Sequence, residues 1–244
     1  MALAHAAVSA GGLTEVVAAV KPSVVAVGAF DSTASPRFGF RGTGFVVGGG
    51  NHLITNRHVL PGDDEGGRGK RLVVAIPRAD QLPELRPATV VAADANHDLA
   101  LLRFDGAALP SLALPAAELP PEGLAIALIG FPLGAALGLS PVTHHGIVAA
   151  VTPIALPAPT SRQLTEGTIV RMRQGSFKIL QLDAVAYPGN SGSPVVDAET
   201  GGVVGVVNLV LIKGTRESAI SSPTGITYAV PIVHARELVE AAGR

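Results

Sequence analysis

Thirteen short runs rich in Val, Ile and Leu, cut apart by Gly, Pro and Asp, constrain this chain more than any other feature. They fall at 23–29, 43–47, 52–55, 71–76, 88–93, 99–104, 124–129, 145–151, 168–173, 177–182, 194–196, 203–212 and 226–230. Runs of strand length separated by turn formers at this rhythm predict an antiparallel all-β sandwich or barrel. Only two stretches read as helices. Thr14 is placed to cap Glu15 to Val20, which Pro22 stops, and a second helix starts near Pro231 and ends at Ala242 before Gly243. The proline-rich segment from Leu109 to Pro121 has little periodicity and reads as the joint between two halves of similar length.

With 244 residues, 48% of them hydrophobic, the chain can bury a substantial core. Its 18 Lys+Arg against 19 Asp+Glu leave a net charge of −1 with no basic cluster, so nucleic acid is not an expected partner. Zero cysteines exclude disulfides, thiol catalysis and cysteine metal sites. Met1 to Gly12 is small and apolar without the basic start of a signal peptide, and reads as a leader. Residues 123–142 carry no charge, but Gly123, Gly130, Pro132, Gly134, Gly138 and Pro141 interrupt them. That pattern suits a buried strand from Leu124 to Ile129 entering a Gly/Pro turn better than a membrane span.

The segment Pro188-Gly189-Asn190-Ser191-Gly192-Ser193-Pro194 puts a serine in a tight glycine-flanked turn between apolar runs. Serine is a weak nucleophile unless a histidine base and an orienting carboxylate serve it. His58 ends the apolar run of Leu53-Ile54-Thr55-Asn56-Arg57-His58 in a short polar turn, a placement suited to a base. Asp98 directly precedes the apolar run Leu99-Ala100-Leu101-Leu102, where a carboxylate can be held in a dry site. His97 and Asp94 are its neighbours; His97 is expected on the opposite side of the strand entry, and both read as structural. The order histidine, aspartate, serine argues against an α/β-hydrolase, whose serine comes first and whose elbow leads into a helix.

These motifs, with Gly42-Thr43-Gly44-Phe45-Val46, resemble the trypsin-like serine peptidases, most closely the HtrA-type bacterial branch. Thr55-Asn56-Arg57-His58-Val59 is similar to that branch's histidine motif, Asp98-Leu99-Ala100-Leu101-Leu102 to its aspartate motif and Gly189-Asn190-Ser191-Gly192 to its serine motif. The resemblance implies two six-stranded antiparallel Greek-key β-barrels with the active site at their interface. It assigns 13–115 to an N-terminal barrel with His58 and Asp98, 122–230 to a C-terminal barrel with Ser191, and 231–244 to a closing helix. It further implies a serine endopeptidase without metal or other cofactor, acting on unfolded or extended polypeptides in protein quality control. A homo-oligomer, by resemblance a trimer, and a periplasmic or secreted location belong to the same expectation, with the cytoplasm as the alternative. The chain reaches Arg244 soon after its last helix, so no PDZ module is expected.

By the same resemblance, Ser191 attacks the scissile carbonyl, His58 shuttles the proton and Asp98 orients the histidine. Gly189, Asn190 and Ser191 form the oxyanion loop, with the amides of Gly189 and Ser191 as donors. The specificity pocket falls to Val185, Ala186 and Tyr187 on one wall and to Asn208, Leu209, Val210 and Ile226 on others. With no acid at its floor, the pocket is expected to prefer Val, Ala, Ile or Leu before the cut. Residues 208–210 are also suited to pair with an extended substrate.

Asn190 stands where digestive relatives carry an aspartate that pairs with a newly cut N-terminus, which points to control by rearrangement of loops 31–41, 131–141, 183–190 and 212–224. Ser193 replaces a usual glycine, and its Cβ would strain the turn if its φ is positive. His144-His145 reads as a lengthened surface turn. The reading from another class is a peptidase fold that binds extended peptides with little turnover.

Overall fold

The computed structural model describes residues 12–62, 70–78, 81–115, 118–134, 139–153, 177–209 and 226–243. Among them, twelve strands close into two six-stranded antiparallel barrels, as expected. The first holds β1 (Val24–Phe30), β2 (Phe38–Val47), β3 (His52–Asn56), β4 (Arg71–Ile76), β5 (Glu84–Asp94) and β6 (Leu99–Phe104), in the closed order β1-β2-β3-β6-β5-β4. The second holds β7 (Ala125–Gly130), β8 (Val142–Pro153), β9 (Lys178–Asp183), β10 (Pro194–Asp197), β11 (Val203–Val207) and β12 (Ile226–Pro231), in the order β10-β11-β12-β9-β8-β7. The step from β3 to β6 sets Asn56 opposite Leu99, so the residues after β3 and before β6 emerge side by side.

The apolar runs are continuous because many strands are buried on both faces. Val25, Val27, Val46, Leu53, Leu102 and Phe104 fill the first barrel, and Ile126, Leu128, Leu180, Leu182, Val195 and Val207 fill the second. The alternate residues point outward into a third core: Phe45, Ile54, Leu99 and Leu101 from the first barrel share a cluster with Ala127, Ile129, Val206 and Val230 from the second. Each large aliphatic side chain removed from water there contributes about 1.5–3 kcal/mol. The barrels therefore dock through their strand faces, which sets the relative position of everything at the seam.

Two helices cover this shared core, α1 (Leu13–Val20) through Val16 and Val20 and α2 (Ile232–Ala242) through Ile232 and Ala235. The α1 boundary differs from expectation. Gly12, not Thr14, is the N-cap: it is extended, and its carbonyl accepts from the amides of Glu15 and Val16, so Thr14 already lies inside the helix. Three strands also start earlier than their apolar runs. β2 begins at Phe38 rather than 43, β5 at Glu84 rather than 88 and β8 at Val142 rather than 145, because their first residues are partly exposed and lack a continuous apolar signature. His144 and His145 accordingly pair with Leu128 and Ala127 within the sheet instead of forming a surface turn. The run 168–173 and the loop 212–224 lie outside the described residues.

α2 returns from the second barrel to pack on β5 and β6 of the first. His234 of α2 stacks on His97, with ring centroids 3.7 Å apart and planes 11° from parallel, and Phe177 stands in a T-shaped arrangement to both rings. His97 Nδ1 lies 2.5 Å from Asp94 Oδ2, while His234 Nδ1 lies 3.4 Å from Glu237 Oε2. The His97 hydrogen bond holds the Asp94 carboxyl at about 2. Burial, reinforced by the neighbouring His97, pushes His234 below its ordinary 6.5. Both groups have depressed folded-state values, so each contributes stability above its unfolded value that is lost as the pH falls. Thermal melts across pH should show stability declining as the pH drops below 6.5, from His234 and from His144, which burial also lowers, and again below 3.8, from Asp94. His234→Phe should lessen the first decline and leave the second.

Candidate active site

β3 ends in a single 3₁₀ turn, Arg57–Val59, that lifts His58 onto the seam while Val59 anchors it in the first barrel's core. Arg41 of β2 secures the turn from below, its Nε donating to Val59 O at 2.8 Å and its Nη2 to Leu60 O at 3.1 Å. Asp98 meets this turn with both backbone and side chain. Its carbonyl accepts from Arg57 N at 3.0 Å and Asn56 Nδ2 at 3.1 Å. Its Oδ1 accepts from His58 N at 2.9 Å, and its Oδ2 lies 2.5 Å from His58 Nδ1. These contacts hold Asp98 in the left-handed region, φ 54, which a non-glycine residue occupies only when its surroundings over-determine it.

A further donor comes from the other barrel. Asn208, just past β11 and almost fully buried, directs Nδ2 at Asp98 Oδ2 over 2.8 Å. The carboxylate thus accepts charge-assisted hydrogen bonds from three groups, which fixes its plane and, through Nδ1, the orientation of the imidazole. His58 Nε2 has no hydrogen-bond partner among the described residues.

Ser191 sits in the turn before β10. Gly189 and Gly192 have φ of 103 and 87, where only glycine is relaxed, and a Cβ on Gly192 would overlap the Thr43 carbonyl and Thr55 hydroxyl. Nearly every polar group of this turn's backbone is committed: Pro188 O to Leu133 N, Asn190 N to Tyr187 O, Asn190 O to Ser193 N, Ser191 O to Thr43 N and Gly192 N to Val207 O, at 2.7 to 3.0 Å. The exceptions are the Gly192 carbonyl and the amides of Gly189 and Ser191, which have no hydrogen-bond partner among the described residues. Two unpaired donors beside a serine are what a developing oxyanion needs. The Asn190 amide, bonded to Tyr187 O, is not one of them.

Ser193 causes no strain, since its φ is not positive. Its Oγ instead fills the space beside Gly130, where a Cβ would collide with it. Asn190 is fully buried and neutral, and neither its amide atoms nor Ser193 Oγ has a partner among the described residues. Nor, among the described residues, is there a hydrogen bond between Ser191 Oγ and His58 Nε2; in unliganded sites this bond commonly forms only once substrate is in place.

The residues expected around a specificity pocket divide into two groups. Val185, Tyr187 and Ile226 are exposed, whereas Ala186 and Leu209 are partly buried against the second barrel's core. Asn208 spends its side chain on Asp98, and its amide bonds Tyr228 O. Val210 lies outside the described residues. No group of three or more His, Cys, Asp or Glu placed to hold a metal occurs among the described residues.

A family model described as the trypsin-like peptidase domain matches residues 42–206. The chain belongs to this family. Among curated relatives, a probable periplasmic DegP-like serine endoprotease of Halomonas elongata is 28% identical over 199 residues, covering 82% of this chain and 34% of that protein. A protein of the same description from Pseudomonas putida strain F1 is 30% identical over 191 residues, covering 78% and 32%. The chain therefore spans about a third of the length of these relatives. The crystal structure of the serine endoprotease from Yersinia pestis superposes with a TM-score of 0.63 at 26% identity, over 95% of this chain and 66% of that one.

Sequence patterns placed Asn208 on a pocket wall and offered no sign of its bond to Asp98, since it sits at the end of an apolar strand 110 residues away. Asn208→Leu, which keeps the volume and removes the donor, should lower kcat on a peptide amide by about tenfold with KM little changed, as steady-state kinetics can show.

Proposed function

We propose that this domain is a serine endopeptidase of the HtrA/DegP type, with Ser191 as nucleophile, His58 as general base and acid, and Asp98 as the group that orients it. The observation that carries this reading is the Asp98 carboxylate, joined to His58 Nδ1 at 2.5 Å and to the His58 amide at 2.9 Å, at the seam that also holds the Ser191 turn. His58 Nε2 takes the Ser191 proton as Oγ bonds to the scissile carbonyl carbon. The carbonyl oxygen becomes an oxyanion facing the Gly189 and Ser191 amides, each such donor being worth on the order of 3 kcal/mol of barrier. Collapse passes the proton to the leaving amine and leaves an acyl-enzyme, which water hydrolyses by the same route in reverse order.

The apolar character of Val185, Ala186, Leu209 and Ile226 supports a preference for Val, Ala, Ile or Leu before the cut. A Lys or Arg there would give up hydration without gaining a counter-charge. Extended segments of unfolded polypeptides are the proposed substrates, since a chain in extended form can pair its backbone with a strand beside the site. The relatives named periplasmic support a periplasmic site of action, and a homo-oligomeric assembly belongs to the same proposal.

A second reading is favoured by one observation, the missing hydrogen bond between Ser191 Oγ and His58 Nε2: a resting enzyme that completes its site on binding peptide. A fluorophosphonate probe, applied with and without added peptide, separates the two. Labelling in both conditions supports the first reading, labelling only with peptide supports the second, and labelling in neither sinks the peptidase assignment. Ser191→Ala should abolish labelling and reduce casein hydrolysis by roughly 10⁴-fold or more. In a panel of matched peptides, Val, Ala, Ile or Leu before the cut should be processed faster than Lys or Arg; the reverse order would refute the pocket.

A further inference from the structure

We infer that the hydroxyl of Thr43 is a positioning group for the oxyanion hole, an inference that rests on the proposed peptidase reading. Thr43 lies on β2 of the first barrel, is fully buried, and forms no hydrogen bond with His58 or Asp98. Its Oγ1 donates to Gly189 O at 2.7 Å and accepts from Phe131 N at 3.1 Å. Both partners belong to the second barrel.

The value of these two bonds lies in which peptides they hold. Gly189, without a Cβ and at φ 103, is one of two glycine hinges in the turn, and its N–H is one of the two unpaired donors. The direction of that N–H depends on the peptides on either side. On the far side, the Gly189–Asn190 peptide is pinned by Thr43 Oγ1 at its oxygen and by Tyr187 O at its nitrogen. On the near side, the Pro188–Gly189 peptide is pinned by Leu133 N, 2.7 Å from Pro188 O. Leu133 is itself held at φ 56, two residues after Phe131, whose amide donates to Thr43 Oγ1. One hydroxyl therefore backs both peptides that aim the donor, directly on one side and through the Phe131–Gly134 loop on the other. Thr43 is seated in turn by its own backbone, with N bonded to Ser191 O at 2.8 Å and O accepting from Thr55 Oγ1 at 2.6 Å, so its side chain has little freedom to compensate.

Removing the hydroxyl leaves two buried backbone groups without partners and frees the Gly189 hinge. The loss should appear where the oxyanion forms and not where substrate merely docks. Thr43→Val keeps shape and removes both bonds; Thr43→Ser keeps both bonds. Thr43→Val should lower kcat by about ten- to a hundredfold with KM near native. Its affinity for a peptide aldehyde, whose adduct with Ser191 places an oxyanion in the hole, should fall by the same factor as kcat/KM. Binding of the corresponding peptide alcohol, which places neither a carbonyl nor an anionic oxygen in the hole, should be unchanged, and Thr43→Ser should restore kcat. Should the valine variant fail to fold by circular dichroism, Thr43→Ala serves in the same comparison. The inference is overturned if Thr43→Val keeps native kcat and aldehyde affinity, if peptide alcohol binding falls in step with aldehyde affinity, or if Thr43→Ser is as impaired as Thr43→Val. Native protein that binds no aldehyde overturns the peptidase reading as well, which distinguishes that failure from a failure of the Thr43 role alone.

Discussion

Burial of strand faces against strand faces is the constraint on which everything else here depends. A barrel closed on itself has no edges to satisfy, so its outer surface is free to be either polar or sticky. In this chain the outer faces of β2, β3 and β6 are apolar and meet those of β7, β11 and β12 in one shared core. The ends of strands that contribute to this core carry the proposed catalytic groups and the residue that aims them: His58 after β3, Asp98 before β6, Ser191 before β10, whose Val196 joins the same core, and Asn208 after β11. The reacting groups gain their registration from hydrophobic packing a few residues away, not from their mutual attraction.

The second consequence of this arrangement is a division of labour at Gly42 to Gly44. Gly44 is required by the first barrel, since a Cβ there would strike Leu53 and the Ile54 carbonyl, whereas Gly42 is required by the second, since its Cβ would meet the Ser191 carbonyl as well as Val59. Thr43 between them bonds across the seam with both backbone and side chain. A three-residue motif that reads as filler in a strand thus serves as the joint between the two barrels at the site.

Much of the fold was legible because strands buried on two faces advertise themselves as unbroken apolar runs; β3, β6, β7 and β11 are examples. The starts of β2, β5 and β8 were not, because partly or fully exposed residues such as Gly39, Arg41, Glu84 and His144 serve a ladder without an apolar pattern. The candidate acid–base–nucleophile set could be named from local motifs, each compact in sequence. The parts that aim those residues could not, because Asn208 to Asp98 and Thr43 to Gly189 join positions 110 and 146 residues apart, and neither residue type announces such a partner. The Ser193 substitution shows the converse. Its effect depended on a backbone angle and on the space beside Gly130, which only the packed turn reveals.

The span between Thr43 and Gly189 also bears on biosynthesis. The hydroxyl and the carbonyl it holds enter the chain 146 residues apart, so the first barrel can fold as it emerges while the oxyanion loop still lacks its anchor. Long-range contacts of this kind close late. A nascent or truncated chain consequently presents a histidine and an aspartate without the proposed hole, and the proposed capacity to cut other proteins arrives only when both barrels have closed and docked.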